Sequence, residues 1–272
     1  MKLSEMKQWL ASREVKLTKA LGQNFLHDQN QLRRIVAAAE LKPCDKVLEI
    51  GPGLGPLTEM LLDAGAEVLA IETDARLVEF LREKYHGRDA LNLIHGDALD
   101  YVRTHRSWDQ WKLVANLPYS VASPILVELA QSETPPERMV TTIQIEVAQR
   151  IHAAAGAREY GVLGLLLGLR YESRAWFKIP ATCFFPSPEV DSACLTLARR
   201  AELLLPRPLE SIFTKIVKRG FSQRRKMMFK LLKTDWPEER LASAFAKLGL
   251  PRQIRAEQVS LRQFVQLTLS VS

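Results

Sequence analysis

Four consecutive residues, Asn116-Leu117-Pro118-Tyr119, combine side chains that could act on an amino group attached to a base. Such an amine is a poor nucleophile, because its lone pair is delocalised into the ring. The side-chain oxygen of Asn116 and a nearby backbone carbonyl could each accept one N–H, which would direct the lone pair at an electrophile. Pro118 fixes the turn, and the Tyr119 ring could stack on the base. Taken alone, the four residues could also be an ordinary turn.

A glycine-rich segment, Gly51–Pro56 (Gly-Pro-Gly-Leu-Gly-Pro), directly follows the apolar stretch that contains Glu49. The pattern is typical of a strand, a tight turn and a helix N-terminus, where backbone approaches a ligand closely. Pro56 stands where the dinucleotide fingerprint needs its third glycine, and the Lys-Ser/Thr pair of a P-loop is missing. Because Glu49 would repel a pyrophosphate, a cationic cofactor without phosphate, such as S-adenosylmethionine, fits better. An ordinary tight turn is the alternative.

Two carboxylates stand at the ends of the next predicted strands. Glu72 closes a strand about 20 residues after the glycine segment, where a carboxylate can accept both hydroxyls of a ribose. Asp97 ends the following strand, where it could accept a hydrogen bond from an adenine amino group or cap a loop. Asp74 lies close to Glu72, and we expect it to be a helix N-cap instead.

These side chains need a scaffold that brings strand ends together, and the sequence predicts one. Short apolar strands are predicted at 46–50, 67–72, 91–94, 112–115 and 139–145, with further strand-like runs at 165–177 and 192–197. Helical patterns occupy 28–40, with Asp28 as its N-cap, and 56–64, 74–85 and 123–130. Alternating strands and helices predict an α/β fold with a mainly parallel sheet covered on both faces. The carboxyl ends of its strands would carry the candidate residues.

The segment 184–188 (Phe-Phe-Pro-Ser-Pro) is predicted to lack regular structure, because its prolines interrupt any ladder. It places an aromatic side chain on a rigid loop. Such a side chain could stack on the second face of an extruded base, as enzymes that act on bases require. A core role for the phenylalanines is the alternative.

The positive charge of the chain is concentrated near its C-terminus. Residues 201–272 hold 14 Lys/Arg and 6 Asp/Glu, a net of +8, whereas the whole chain has a net charge of +7. A basic module on a near-neutral body indicates a polyanionic partner, usually nucleic acid. The segment 220–226 is predicted to open a basic helix, in which Arg224 and Arg225 look like phosphate contacts. A solvated helical face is the alternative.

The rest of the sequence excludes several classes of protein. No apolar run reaches the roughly 18–20 residues that span a bilayer, and the charged N-terminus is not a secretory signal. We therefore expect a cytoplasmic protein without a membrane partner. Cys44, Cys183 and Cys194 are far apart, so they predict neither disulfides nor a metal site, and each is expected to be a small buried thiol.

Taken together, the motifs resemble those of the ribosomal RNA adenine dimethyltransferases, in the same order along the chain. The resemblance runs from about residue 16 to residue 265, and its motifs lie at 21–26, 49–55, 116–119, 184–192 and 221–226, with Arg255-Ala256-Glu257 near the end. It implies a Rossmann-like, S-adenosylmethionine-dependent methyltransferase domain at 1–200, with an N-terminal extension and cofactor-contacting loop at 1–27. A linker at 201–207 and a basic helical RNA-binding domain at 208–272 would follow.

The resemblance also implies roles for individual residues. Cofactor contacts fall at Asn24, Leu26, Gly51, Gly53, Glu72, Asp97, Ala98 and Asn116. Asn24 and Leu26 would contact the methionine end of the cofactor, whereas Glu72 would hold its ribose and Asp97 its adenine. The catalytic set is Asn116, Leu117, Pro118, Tyr119 and Phe184, with Tyr119 and Phe184 on the two faces of the target adenine. RNA contacts fall at Lys218, Arg219, Arg224, Arg225 and Lys226, and no metal is expected.

Within the family, the chain is most similar to the enzymes that dimethylate N6 of two adjacent adenosines in the 3′-terminal hairpin loop of small-subunit rRNA. We therefore expect a monomer that acts on the small ribosomal particle or its precursor. A large-subunit methylase of the macrolide-resistance type is a close alternative. A family member that serves only as a transcription or assembly factor is another, although the intact Asn116–Tyr119 motif argues against it.

Overall fold

The computed structural model describes residues 3–13 and 23–272. Leu21 and Gly22, the first residues of one motif, lie outside the described residues. The chain divides into two compact units: unit 1 comprises Met1–Ala148 and Ser173–Arg199, and unit 2 comprises Gln149–Glu172 and Arg200–Ser272. The chain passes from unit 1 to unit 2 for the last time between Arg199 and Arg200. The segment 149–172, expected in the first domain, instead clusters with unit 2.

The described part of the chain contains nine strands and twelve α-helices, together with short 3₁₀ turns. The strands are β1 (Phe25–Leu26), β2 (Lys46–Ile50), β3 (Glu67–Glu72), β4 (Leu91–His95), β5 (Trp111–Asn116), β6 (Arg138–Gln144), β7 (Tyr171–Ile179), β8 (Phe184–Phe185) and β9 (Ser192–Arg199). The helices are α1 (Leu3–Ser12), α2 (Gln29–Ala38), α3 (Pro56–Asp63), α4 (Ala75–Lys84), α5 (Ala98–Thr104), α6 (Ala122–Ala130), α7 (Ile145–His152), α8 (Val162–Gly168), α9 (Glu210–Phe221), α10 (Met228–Leu232), α11 (Glu238–Lys247) and α12 (Leu261–Val271).

Seven strands form one sheet, in the order β4-β3-β2-β5-β6-β9-β7. The pairs from β4 to β6 are parallel, and β9 runs antiparallel to β6. The chain builds outward from β2 through β3 to β4, then returns to place β5 on the other side of β2. The strand order therefore reverses between β2 and β5, and a crevice at the carboxyl ends of such strands is where open α/β sheets bind ligands.

The α/β fold is confirmed, and the local signals explain why it forms. Consecutive buried residues fill β2, β3 and β5, as expected for strands covered on both faces. Asp28 caps α2 by accepting a hydrogen bond from Gln31 N, and Asp74 caps α4 by accepting one from Arg76 N. Both N-caps were predicted, and both helices begin one residue after the cap.

Two predictions about unit 1 and its neighbouring segment are wrong. The strand-like run at 165–177 contains the end of α8 before β7 begins at Tyr171. The sequence Val-Leu-Gly-Leu-Leu-Leu-Gly has no polar positions to reveal a period, so a helix and a buried strand look alike. The segment 184–188 is not wholly irregular, because Phe184 and Phe185 form β8, paired antiparallel with Leu26 and Phe25 of β1.

Unit 2 contains α8 to α12 and carries the net positive charge of the chain. It holds 18 Lys/Arg and 8 Asp/Glu, a net of +10, which leaves unit 1 at −3. Within unit 2, segment 149–172 is hydrogen-bonded to the segment that precedes α12. Tyr160 Oη donates to Val259 O at 2.9 Å, and Gly156 N donates to Glu257 O at 2.7 Å. Burial raises the pKa of the Tyr160 phenol to about 12.

The prediction that segment 220–226 opens a basic helix is also wrong. α9 ends at Phe221 and α10 begins only at Met228, so Arg224 and its basic neighbours lie in a turn between two helices. Ser222 Oγ donates to Arg219 O at 2.7 Å and competes with the helical pattern there. We call residues 222–227 the basic turn.

In the described ranges, no helix is long and apolar enough to cross a membrane. The cysteine prediction holds for Cys183 and Cys194, which are buried, but it is wrong for Cys44, which is exposed. Cys44 lies in the turn before β2 with a φ of 66°, so its side chain is carried outward by the turn.

Candidate active site

A cavity of about 230 Å³ opens at the carboxyl edge of the sheet in unit 1, where the strand order reverses. Its lining includes all eight residues predicted to contact a cofactor: Asn24, Leu26, Gly51, Gly53, Glu72, Asp97, Ala98 and Asn116. Leu117, Pro118 and Tyr119 also line it. Segments separated by more than 90 residues in the chain therefore meet at one site, as the strand-end argument predicts.

The glycine segment brings two cavity walls close together. Gly51 has a φ of 67°, and a Cβ there would lie 3.3 Å from Pro118 Cγ. Gly53 has a φ of 61°, and a Cβ there would come within 2.7 Å of the Phe25 ring. Both positions combine a left-handed backbone with a close neighbour, so glycine is required for conformation and for space.

Glu72 is a buried carboxylate held by backbone donors. Its Oε2 accepts from Gly53 N at 3.1 Å, and its Oε1 accepts from Thr73 N at 2.9 Å and Asp74 N at 3.0 Å. Burial raises the pKa of Glu72 despite these hydrogen bonds. Since a carboxylate has about four acceptor positions, Glu72 can still accept hydrogen bonds from a ligand. It also ties the glycine segment to the end of β3.

Glu49 is a second buried carboxylate at this edge, and it is only 1% exposed. Its Oε2 has no hydrogen-bond partner. Burial, reinforced by the charge of Glu72, raises the pKa of Glu49 to about 8. A buried carboxyl oxygen without a hydrogen-bond partner costs free energy, and a cationic ligand in the cavity would lower that cost.

The Asn116 side chain is oriented by a single contact. Asn116 Nδ2 donates to Asn24 O at 3.0 Å, which assigns the amide nitrogen to the wall of the cavity. The opposite atom, Oδ1, is buried and has no hydrogen-bond partner. Asn116 lines the cavity and has an unused acceptor, which is what the amine-orienting hypothesis requires.

The two aromatic residues predicted to enclose the target base are placed differently. Tyr119 lines the cavity, is half-buried, and shares a hydrogen bond of 2.7 Å between its Oη and Ser192 Oγ. Burial raises the pKa of the Tyr119 phenol. Phe184 is only 3% exposed, packs in the core with Leu26 and Leu32, and is not among the cavity residues. Of these two aromatic side chains, Tyr119 lies at the cavity and Phe184 lies in the core. The role of Phe184 stays a prediction.

Asp97 caps a helix and also lines the cavity. Its Oδ1 accepts from Leu99 N at 2.7 Å and Asp100 N at 3.0 Å, so it caps α5. It is also exposed and lines the cavity. A capping carboxylate keeps acceptor capacity, so this placement is compatible with a hydrogen bond to an adenine amino group.

The cavity wall also contains residues that were not among the predicted contacts, and Phe25, Gln23 and Leu77 are three of them. Phe25 lies between Asn24 and Leu26, and its ring covers Gly53. Gln23 lines the cavity and donates from Nε2 to Asp74 Oδ2 at 2.9 Å. Leu77, in the first turn of α4, completes this side. Phe25 and Gln23 belong to the motif at 21–26, so the sequence could have indicated them. Leu77 is one apolar residue among many in a helix, and no sequence pattern marks it as a cavity residue.

The predicted RNA contacts lie in unit 2 and differ in their partners. Lys218, Arg224, Arg225 and Lys226 are exposed. Arg224 donates from Nη2 to Arg158 O at 2.8 Å. Arg219 is half-buried and paired with Asp235 at 2.5 Å, and Lys215 pairs with the same carboxylate at 2.9 Å. These pairs lower the pKa of Asp235, so part of the charge near the end of α9 is compensated within unit 2.

Within the ranges that the structure describes, no group of three or more His, Cys, Asp or Glu side chains is placed to hold a metal ion.

Comparison with known proteins identifies relatives of the chain. The sequence profile of the family "Ribosomal RNA adenine dimethylase" matches residues 14–271. A protein of Natranaerobius thermophilus named ribosomal RNA small subunit methyltransferase A is 36% identical over 97% of this chain and 94% of its own length. A protein of the same name from Latilactobacillus sakei is 37% identical over 93% of this chain and 89% of its own length.

Two solved structures share the fold. The 23S rRNA methyltransferase ErmE superposes with a TM-score of 0.68 and 28% identity, covering 91% of this chain and 99% of its own. A dimethyladenosine transferase from Plasmodium falciparum superposes with a TM-score of 0.74 and 23% identity, covering 89% and 95%. At that identity, the second likeness concerns the fold alone.

Proposed function

The chain belongs to the ribosomal RNA adenine dimethylase family, and from this we propose that it dimethylates N6 of two adjacent adenosines in the 3′-terminal hairpin loop of small-subunit rRNA. The curated relatives named as small-subunit methyltransferases support this choice of substrate. The methyl donor is S-adenosyl-L-methionine. The reaction belongs to the maturation of the small ribosomal subunit, and we place it in the cytoplasm.

One observation supports the chemistry most directly: Asn116 Nδ2 is bound to Asn24 O, which leaves Oδ1 as a buried, unused acceptor in the cavity. An acceptor there can take one N–H of the target amine. Accepting that N–H localises the N6 lone pair and orients it toward the methyl donor.

The residues of the cavity fit S-adenosyl-L-methionine. When bound, this cofactor supplies an electrophilic methyl group. Glu72 would hold the ribose and Asp97 the adenine, while Asn24, Leu26 and Gly51 would contact the methionine end. Glu49, with an unpartnered oxygen and a pKa near 8, would gain from a nearby cationic group.

The same acceptor accounts for two successive methylations of one base. An adenine with one methyl group on N6 keeps one N–H, which Asn116 Oδ1 can still accept. The second methyl transfer then needs no further residue. Tyr119 would stack on the base in both rounds, and Pro118 holds the turn that carries it.

Unit 2 supports an rRNA partner through its charge. With a net charge of +10, it would attract the phosphate backbone, and the exposed Lys218, Arg224, Arg225 and Lys226 are the proposed contacts. Arg219 would contribute less, because Asp235 compensates it. We infer that the substrate is the small ribosomal particle or its precursor and that the enzyme acts as a monomer.

The direct test is incubation of the protein with radiolabelled S-adenosyl-L-methionine and with ribosomal subunits from a strain that lacks these modifications. Label on two adjacent adenosines of small-subunit rRNA, mapped by primer extension and mass spectrometry, is the expected result. Label confined to large-subunit rRNA would overturn the substrate and favour a methylase like ErmE. Binding to the small subunit without any transfer would favour an assembly factor.

A further inference from the structure

The Tyr119 hydroxyl is held by a residue outside the predicted site. Ser192 Oγ lies 2.7 Å from Tyr119 Oη, and Ser192 is fully buried at the first position of β9. In the sheet, Ser192 pairs with Gln144 of β6, while Asn116 pairs with Thr142 of the same strand. The hydrogen bond therefore crosses β6 and connects the catalytic segment to the antiparallel side of the sheet.

We propose that Ser192 is a positioning residue for the methyl transfer, because it fixes the orientation of the Tyr119 ring against the target adenine. The inference rests on the proposed function, in which Tyr119 stacks on that base. Ser192 does not line the cavity, so it would act only through the tyrosine hydroxyl.

The backbone around Tyr119 is fixed independently of Ser192. Leu117 N donates to Thr142 O at 3.1 Å, and Val121 N donates to Pro118 O at 3.1 Å. These bonds hold the turn but leave the tyrosine side chain free to rotate about its own torsions. Among the described residues, Ser192 is the hydrogen-bond partner of the hydroxyl. Without it, a half-buried ring could adopt other rotamers and lose its alignment with the base.

The residue beside Ser192 holds the second aromatic segment. Asp191 Oδ1 accepts from Ala181 N at 2.9 Å, Ile145 N donates to Asp191 O at 3.1 Å, and Lys178 pairs with Asp191 at 2.6 Å. Ala181 begins the short 3₁₀ turn that leads into Phe184. Asp191 and Ser192 thus connect the segment of Phe184 and the segment of Tyr119 at one point of the sheet.

A double-mutant cycle tests the proposal with the full-length protein and small ribosomal subunits as substrate. The variants are Ser192→Ala, Tyr119→Phe, which keeps the ring, and the combination of both. All three variants lose the same hydrogen bond, the one between Tyr119 Oη and Ser192 Oγ. We therefore expect kcat to fall about fivefold in each single variant and by no more in the double variant. The Kd of S-adenosyl-L-methionine should stay unchanged, because neither hydroxyl is proposed to touch it.

Ser132→Ala is the matched control. Ser132 follows the end of α6, is 1% exposed, and donates from Oγ to Leu129 O at 2.7 Å. The control variant therefore removes a buried hydroxyl whose hydrogen bond is as short as that of Ser192. It should keep the wild-type kcat. Melting temperatures of all variants measure the loss of stability separately from the loss of rate.

Two results would overturn the positioning role. The first is a Ser192→Ala protein that matches Ser132→Ala in kcat. The second is a double variant whose loss is the product of the two single losses, because independent effects do not pass through one hydrogen bond. If Ser192→Ala does not fold, Tyr119→Phe alone decides, since full kcat without the hydroxyl contradicts the proposal. An inactive wild-type protein would instead contradict the proposed function.

Discussion

The cavity of unit 1 and the basic turn of unit 2 recognise ligands by different physical means. In the cavity, individual polar groups are oriented by specific contacts, as Glu72 is by three backbone donors. In the basic turn, Arg225 and Lys226 are exposed and rely on charge. A preorganised site depends on each group and little on salt, whereas a charged surface depends on the sum of its charges and strongly on salt.

Because of this difference, a single mutation should have a larger effect in the cavity than in the basic turn. Removing one buried group from the cavity leaves its former partners unsatisfied. Removing one exposed cation leaves the others to attract the same polyanion. The predictions below test this contrast, beginning with the variant expected to have the largest effect.

Asn116→Ala should lower methyl transfer by about 1,000-fold or more, because one preorganised polar group at a reacting centre contributes on that scale. RNA binding, measured by filter retention, should survive, since Asn116 lies outside unit 2. Asn92→Ala, an exposed asparagine of β4, is the control and should keep full activity. Substantial activity in Asn116→Ala would contradict the amine-orienting role.

Glu72→Ala should raise the Kd of S-adenosyl-L-methionine about 100-fold, because a charged acceptor is lost and Gly53 N is released. Calorimetry at low and high salt should give the same ratio, as expected for a buried site. Glu79→Ala removes an exposed carboxylate from α4 and should leave the Kd unchanged. Normal cofactor binding by Glu72→Ala would refute the ribose contact.

Glu49 should make the cofactor-free protein sensitive to pH. Its pKa is raised from 4.5 to about 8, so the folded state binds the proton more tightly than the unfolded state. The protonated Glu49 should therefore contribute fully to the free energy of unfolding below about pH 4.5, and this contribution should be lost as pH rises through about 8.

Urea unfolding of the wild type and Glu49→Gln at several pH values isolates this effect. The variant cannot lose a proton there, so the ratio of its unfolding constant to that of the wild type should change more than tenfold over the window. Cofactor affinity of the wild type should rise over the same window, because the ionised form attracts a cation. Parallel stability curves for the two proteins would show that Glu49 does not titrate there.

Replacing Arg224 and Arg225 together by glutamate should weaken RNA binding about tenfold at low salt, with a smaller ratio at high salt. Cofactor affinity should not change. The double variant Lys247→Glu with Arg262→Glu makes the same change in charge at exposed positions elsewhere in unit 2. An equal loss in that control would mean that net charge, rather than the basic turn, determines binding.

Much of unit 1 could be predicted from the sequence because its signals are local. The bounds of β2 and β3 agree with the predicted ranges, since apolar runs are interrupted by glycine and by the caps at Asp28 and Asp74. The eight predicted cofactor residues also line one cavity. Their individual roles stay predictions, because placement alone does not show what each side chain binds.

Other features could not be predicted, since their causes are not local. The all-apolar run before β7 gives no period, so α8 was missed. The Phe184-Phe185 strand exists only because β1 lies beside it. Segment 149–172 belongs to unit 2 through contacts such as the hydrogen bond from Tyr160 to Val259. No residue spacing in the sequence reveals such a contact.

The sequence by itself determined the residue types of the site and their order on strand ends. It also placed the net positive charge in the C-terminal quarter, because composition and periodicity are properties of the chain alone. Only the tertiary structure decided that the strand order reverses between β2 and β5, which brings Asn24 O to Asn116 Nδ2. That contact leaves Oδ1 free in the cavity, and Ser192 reaches Tyr119 only because β9 lies on the far side of β6. Directed hydrogen bonds between distant segments depend on packing, and packing is settled by the whole chain at once.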